Sequence, residues 1–114
     1  QLAPQTFDAA TFEMWGALLH GGRLGIAEAR VPSVTELGRM RDEYGVETMW
    51  LTASIYKAVV DADVKQLSGL KQLLIGGEAL SARHVLVGIE KLAGTTLITA
   101  AQIEEVRTHI PTVE

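Results

Sequence analysis

Residues 46–51 read VETMWL and are followed directly by residues 52–59, TASIYKAV, and this junction indicates the fold class. The first stretch is a short run rich in apolar residues, with the length of a buried strand. In the second stretch, Ile55 and Val59 are one helical turn apart, and Thr52 is a typical N-cap residue. The sequence therefore predicts a strand that passes directly into a helix.

The same alternation extends in both directions along the chain. Runs of strand length are found at residues 2–7 (LAPQTF), 23–27 (RLGIA), 72–75 (QLLI) and 95–99 (TTLIT). Between these runs, apolar residues recur at helical spacing. The three sets are Phe12, Trp15 and Leu19; Leu37, Met40 and Tyr44; and Val85, Ile89 and Leu92.

The predicted helix ends carry local chemical signals. Ser33 and Glu36 have the spacing of a capping box, and Asp8 and Ser81 are further N-cap residues. Glycines follow the helical stretches at positions 21, 22, 45 and 94, as is common after a helix. Helices that alternate with strands are typical of a parallel sheet, because parallel strands need long crossover connections. The prediction is an α/β fold, flavodoxin-like or Rossmann-like, with four or five parallel strands and helices on both faces.

Length and composition exclude several classes of function. The chain has 114 residues and a mass of 12.3 kDa, which is the size of one domain. It has no cysteine, so disulfide frameworks, thiolate metal sites and cysteine nucleophiles are excluded. Its net charge is -4 and its basic residues are scattered, which argues against nucleic acid as a partner. No apolar run has the length of a membrane span, so we expect a cytoplasmic protein without a membrane partner.

In an open parallel sheet, ligands bind outside the carboxyl ends of the strands. This rule nominates four places: residues 8–9, 52–54, 76–78 and 99–101. Each also has a plain structural interpretation, such as a helix cap or a tight turn. The three histidines, His20, His84 and His109, are far apart in sequence and do not predict a metal site. Composition and spacing alone leave the ligand open.

Three longer stretches carry a family resemblance. They are residues 6–22 (TFDAATFEMWGALLHGG), 45–53 (GVETMWLTA) and 73–81 (LLIGGEALS). In this order they resemble the adenylation domains of nonribosomal peptide synthetases. The resemblance implies that residues 1–98 are the flavodoxin-like specificity subdomain of a parent enzyme. That parent would use ATP and Mg²⁺ to convert an amino acid into an aminoacyl adenylate and then load a carrier protein.

The resemblance also implies which residues bind substrate. Asp8 corresponds to the carboxylate that pairs with the α-ammonium group of the amino acid. The positions that correspond to the side-chain pocket are Ala9, Phe12, Trp50, Leu74, Gly76 and Ala100. The turn beside the adenine of the nucleotide corresponds to Gly77, Glu78 and Ala79. This combination is similar to the pockets of the family that accept valine.

The chain departs from the family pattern after the last predicted strand. Where the family has N-x-Y-G-P-T-E, residues 99–105 read TAAQIEE, and residues 99–114 are predicted to form a divergent helical tail. A foreign end, an engineered end and a truncation remain open as its origin. The phosphate loop and the catalytic lysine of the family are also absent, so we assign no catalytic or metal-binding residue. We expect the isolated chain to be inactive, to need no cofactor by itself and to self-associate through apolar surface.

Two further interpretations differ in kind from this one. The chain could be a free-standing, non-catalytic α/β module that binds a partner. Alternatively, it could come from a relative that activates another carboxylic acid, which Asp8 argues against because such a substrate lacks an α-amine. The sequence begins with Gln1 rather than Met, which is expected of a piece of a longer protein.

Overall fold

Two helices precede a regular alternation of strands and helices in a computed structural model, which describes residues 1–4, 6–28 and 31–99. The helices are α1 (Asp8–Leu18), α2 (Val34–Tyr44), α3 (Ala53–Asp63) and α4 (Ala82–Lys91), and a short 3-10 helix covers Val64–Leu67. The strands are β1 (Thr48–Thr52), β2 (Gln72–Gly76) and β3 (Thr96–Thr99). The predicted passage from strand to helix is present, because α3 begins at the residue after β1 ends.

The three strands form one parallel sheet in the order β1-β2-β3. Trp50 of β1 lies opposite Leu74 of β2, which in turn lies opposite Ile98 of β3. Each strand is connected to the next by a segment that contains a helix, as parallel pairing requires. The predicted α/β class with a parallel sheet is therefore confirmed.

One face of the sheet forms the core. Along β1 and β2 the buried side chains alternate, because successive residues of a strand point to opposite faces. The buried positions Met49, Leu51, Leu73 and Ile75 belong to the same core cluster as Tyr56 and Val59 of α3 and Val85 of α4. Each fully buried aliphatic side chain of this size stabilises the fold by about 1.5–3 kcal/mol. The core thus fixes α3 and α4 against one face of the sheet.

Most predicted helix ends are confirmed. Ser33 and Glu36 form both hydrogen bonds of a capping box. The hydroxyl oxygens of Thr52 and Ser81 accept backbone N–H groups of α3 and α4. Gly45 ends α2 with a φ of 63°, a left-handed conformation that favours glycine.

The prediction that Asp8 is an N-cap is wrong. An N-cap residue has an extended backbone, and Phe7 adopts this conformation with φ -97° and ψ 145°. Asp8 is already the first helical residue, and α1 has no side-chain capping bond. Its negative charge nevertheless lies in the first turn, where the partial positive charge of the helix N-terminus stabilises it.

Two predicted strands are also wrong, so the sheet has three strands rather than four or five among the described residues. At residues 2–7, the backbone N–H groups of Leu2 and Ala3 donate to the Glu13 carboxylate at 2.8 and 2.9 Å, and Pro4 has no N–H. These donors are therefore not available for a strand ladder. Residues 23–27 are not assigned to a strand: the N–H of Ala27 donates to the carbonyl oxygen of Gln1 at 3.2 Å, and the amino group of Gln1 donates to the carbonyl oxygen of Gly25, but neither bond joins the sheet.

Part of the sequence prediction lies outside the described residues. This applies to Ala100 and to the predicted helical tail, of which only Thr99 is described. The division into residues 1–98 and 99–114 stays a prediction. Within the part of the chain that the structure describes, no helix is long and apolar enough to span a bilayer.

Candidate functional site

The carboxyl ends of β1 and β2 meet at one edge of the sheet. Thr52, the last residue of β1, is paired with Gly76, the last residue of β2. The chain then continues into α3 after Thr52 and into an exposed turn at residues 77–79 after Gly76. Two of the four places nominated from the sequence therefore come together at the edge where ligands bind to parallel sheets.

Three predicted pocket residues are neighbours on one face of the sheet. Trp50, Leu74 and Gly76 alternate along β1 and β2 with the core positions Met49, Leu51, Leu73 and Ile75. They therefore lie on the sheet face opposite the core. Trp50 and Leu74 are half-buried and lie directly opposite each other. A Cβ atom added to Gly76 would lie 3.3 Å from both Cζ2 and Nε1 of Trp50. The indole of Trp50 therefore lies close to Gly76. It can do so because glycine has no Cβ atom at that place.

The other predicted pocket residues that the structure describes lie on α1, which contacts β1. Asp8 is exposed, Ala9 is half-buried and Phe12 is exposed. Within the described residues, no side-chain hydrogen bond or ion pair holds the carboxylate of Asp8. The structure thus places an unpaired carboxylate at the start of α1, but it shows no contact between Asp8 and Trp50.

A cavity of about 990 Å³ separates α1 from the start of β1 and β2. Phe12 and Trp50 both line it, so α1 covers part of the sheet face opposite the core. Thr48 and Gln72, the first residues of β1 and β2, line it as well, whereas residues 76–79 do not. The cavity therefore opens at the amino end of the strands and is distinct from the site predicted at the carboxyl edge.

The turn after β2 has an unusual backbone and a specific side-chain contact. Gly77 has a φ of 97°, which favours glycine, and residues 77–79 are exposed. The Glu78 carboxylate accepts a hydrogen bond of 2.9 Å from the hydroxyl of Ser54 in α3. Residues 52–54 are at a predicted strand end, but the sequence pattern predicts no role for Ser54. The spacing offered no signal for this pair, because the partners are 24 residues apart.

A second polar cluster lies at the start of α4, just after this turn. His84 is buried, at 8% exposure. Its Nδ1 pairs with the hydroxyl of Ser81, and its Nε2 lies 2.9 Å from Oδ1 of Asp61 in α3. Arg83 donates to the same oxygen at 2.7 Å. The pKa of Asp61 is lowered, mainly by the Arg83 hydrogen bond and also by His84.

The proton arrangement of this cluster follows from its partners. A carboxylate only accepts hydrogen bonds, so Nε2 of His84 carries a proton and donates to Asp61. The Ser81 hydroxyl pairs with Nδ1 and also accepts the backbone N–H of His84 at 3.3 Å. Both ring nitrogens of His84 thus have a hydrogen-bond partner, Ser81 at Nδ1 and Asp61 at Nε2. In the described ranges, no group of three or more His, Cys, Asp or Glu side chains could hold a metal ion.

Comparison with known proteins adds a family to this geometry. Residues 1–98 match the family described as AMP-binding enzyme. The chain is also similar to two proteins of the linear gramicidin synthase of Brevibacillus parabrevis, with 43% identity over 98 residues in each case. These matches cover 86% of this chain but only 2% of one synthase protein and 1% of the other. The chain therefore spans a very small share of the length of the curated relatives that it matches.

A structural comparison also matches this chain to a nonribosomal peptide synthetase protein. A solved structure of PA1221, an NRPS protein containing adenylation and PCP domains, superimposes with a TM-score of 0.82 at 38% identity. The match covers 90% of this chain and 21% of that chain. Sequence and structure comparisons therefore agree, and both match this chain to one segment of a much longer protein.

Proposed function

This chain belongs to the AMP-binding enzyme family, as a segment of a nonribosomal peptide synthetase adenylation domain, and from this we infer that it carries the amino-acid pocket of its parent. The parent would join an amino acid to ATP. A carboxylate oxygen of the amino acid attacks the α-phosphorus, pyrophosphate leaves, and an aminoacyl adenylate forms. The thiol of a carrier protein then attacks the acyl carbon of the adenylate. A thioester forms, and AMP leaves.

Asp8 is proposed to bind the α-ammonium group of the substrate. The exposed and unpaired carboxylate supports this role, because it has no competing partner within the described residues. A hydrogen bond between an ammonium group and a carboxylate is charge-assisted and stronger than a neutral one. The contact becomes stronger still when the rest of the domain excludes water from it.

The side-chain pocket is proposed to accept valine. The observation that carries this proposal is the row formed by Trp50, Leu74 and Gly76 on one sheet face, next to the strand ends. Trp50 and Phe12 are proposed as bulky walls, and the indole of Trp50 already fills the room that Gly76 leaves, so the space for a substrate beside them would be small. A short branched aliphatic side chain suits such a space better than an aromatic one. Ala9 and Ala100 are proposed as further positions of the same pocket.

Gly77, Glu78 and Ala79 are proposed to lie against the adenine of ATP. Their exposure at the carboxyl edge, beside the proposed pocket, supports this role. ATP would supply the adenylyl group that activates the carboxylate, and its Mg²⁺ and phosphates would be held by other parts of the parent. The residues of this chain would contribute orientation: they place the amino acid and the base side of the nucleotide at the same sheet edge.

The surface of α1 also fits a segment that other parts of a domain cover. Trp15, Leu18 and Leu19 are 51%, 51% and 73% exposed, although α1 is apolar on most sides. A helix that is apolar all round is typically buried. We propose that the remainder of the adenylation domain packs on this helix.

The experiment is a graft of residues 1–98 into a complete adenylation domain, with amino-acid-dependent exchange of pyrophosphate into ATP as the assay. We expect valine to be preferred over alanine and phenylalanine. The margin over alanine reflects about 1–3 kcal/mol per methylene group, whereas phenylalanine is excluded by overlap with Trp50. Asp8→Ala should weaken the use of every amino acid. Asp42→Ala, which removes an exposed carboxylate from α2, is the matched control and should change nothing.

Two outcomes contradict the proposal. One is a graft that prefers an aromatic or charged amino acid. The other is a graft whose use of amino acids is unchanged by Asp8→Ala. Either result would mean that these residues do not line the amino-acid pocket.

A further inference from the structure

Helix α3 holds the turn after β2 at two separate points, one at each end of residues 77–81. We propose that Ser54 and His84 are positioning residues for the nucleotide: through Glu78 and Ser81 they fix the turn that faces the adenine. This inference rests on the function proposed above and assigns roles to two residues outside the proposed pocket.

The first point is the hydrogen bond between Ser54 and Glu78. Ser54 is the second residue of α3, so the Glu78 carboxylate lies at the N-terminal turn of that helix. The partial positive charge of a helix N-terminus stabilises a carboxylate there. The hydroxyl of Ser54 and the end of α3 thus act on Glu78 in the same direction, and they direct its side chain toward α3.

The second point is the pair of contacts made by His84. One ring nitrogen bonds to Ser81, the last residue of the turn, and the other bonds to Asp61 near the end of α3. Buried polar groups that are fully hydrogen-bonded resist displacement, because breaking one bond leaves an unsatisfied group. The imidazole therefore links the N-cap of α4 to α3 through a rigid ring.

Packing alone leaves the middle of the turn unsupported. Leu80 is buried and anchors the end of the turn, but Gly77, Glu78 and Ala79 are all exposed. Gly77 also has the conformational freedom of a residue without a Cβ atom. The position of the three exposed residues therefore depends on the polar contact at Glu78 and on the fixed start of α4.

The test uses a complete adenylation domain that carries residues 1–98, with the variants Ser54→Ala and His84→Asn. We expect the KM for ATP to rise about three- to tenfold in Ser54→Ala, which loses one hydrogen bond, and at least as much in His84→Asn, which loses the imidazole, while the KM for valine stays within twofold. Ser54→Thr keeps the hydroxyl and should restore the KM for ATP. Ser33→Ala is the matched control, since it removes a serine hydroxyl that caps α2 and does not contact the turn.

A second measurement follows the turn directly in the 114-residue chain. Amide hydrogen exchange at residues 77–80 should become faster in Ser54→Ala and in His84→Asn, and should not change in Ser33→Ala. Ser54 is exposed, so its alanine variant keeps the test valid even if His84→Asn does not fold.

The outcomes separate this inference from the proposed function. An unchanged KM for ATP in Ser54→Ala, together with the expected loss of amino-acid use in Asp8→Ala, overturns the positioning role and leaves the function intact. Equal increases in KM for ATP and valine also overturn it, because they indicate general damage. A domain with no amino-acid-dependent exchange contradicts the function, and unchanged hydrogen exchange at residues 77–80 then overturns the positioning role as well.

Discussion

Gly88→Ala should destabilise the protein, although alanine is the better residue for a helix. A Cβ atom at position 88 of α4 would lie 2.1 Å from Oη of Tyr56 and 3.1 Å from Cδ1 of Leu97. Tyr56 is completely buried, and its hydroxyl donates to the carbonyl oxygen of His84 at 2.8 Å. The added methyl group therefore has to displace the hydroxyl and break this hydrogen bond, or move α4 away from α3.

The expected magnitude follows from three contributions. Overpacking a tight site costs about 1–3 kcal/mol, and leaving a buried hydroxyl without its partner costs about 1–3 kcal/mol. The higher helix propensity of alanine stabilises α4 by about 1 kcal/mol and offsets part of this cost. The free energy of unfolding should therefore fall by about 1–5 kcal/mol. At about 4 °C per kcal/mol for a domain of this size, the Tm should fall by at least about 4 °C.

The assay is thermal and urea unfolding of the 114-residue chain at low concentration. Gly16→Ala in α1 is the matched control, because its Cβ atom would lie 3.5 Å from Cε2 of Phe12, an ordinary contact. This control should stabilise the protein by about 0.5–1 kcal/mol. Tyr56→Phe removes the clashing oxygen, so the double variant with Gly88→Ala should recover part of the loss. A Gly88→Ala variant as stable as the unchanged protein would refute the reasoning, as would a double variant without recovery.

Three further predictions concern the pocket, the pH dependence and the surface. Trp50→Ser in the grafted domain should admit amino acids with side chains larger than that of valine, because it removes the largest wall of the proposed pocket. Pyrophosphate exchange with leucine and phenylalanine checks this. An unchanged preference for valine would contradict it. The lowered pKa of Asp61 means that its contacts stabilise the fold above the unfolded pKa and are lost as the pH falls below about 4. Urea unfolding should therefore show that the free energy of unfolding falls less between pH 6 and about pH 2.5 in Asp61→Asn than in the unchanged protein. Identical pH profiles of the two proteins would argue against this role. The exposed apolar surface of α1 should cause self-association at high concentration, and Trp15→Glu should reduce it in light scattering; a chain that stays monomeric at every concentration would disprove the association.

Local signals in the sequence determined most of the secondary structure. The capping box at Ser33 and the N-caps at Thr52 and Ser81 were predictable, because each depends on atoms within three or four residues of the chain. The strands β1 and β2 were predictable from short apolar runs next to helix starts. The family was predictable from three motifs in order, which residues 1–98 confirm.

Tertiary structure decided what local pattern left open. An extended apolar segment becomes a strand only if its backbone donors find a strand partner. The donors of Leu2 and Ala3 bond to Glu13 instead, a side chain about ten residues away, and this contact has no local signal. The choice between Phe7 and Asp8 as N-cap also depended on the backbone conformation before α1 and not on residue type alone.

The arrangement of the site has the same origin. The residue types at Trp50, Gly76 and Glu78 could be read from the sequence, but their contacts depend on the register between β1 and β2. That register brings Ser54 to Glu78 across 24 residues, and the packing of α4 on α3 brings His84 to Asp61 across 23 residues. A hydrogen bond of this range depends on the packed core, because closing the intervening chain costs entropy that one exposed hydrogen bond does not offset. The sequence by itself thus determined the elements and the family, while the folded core decided which side chains meet.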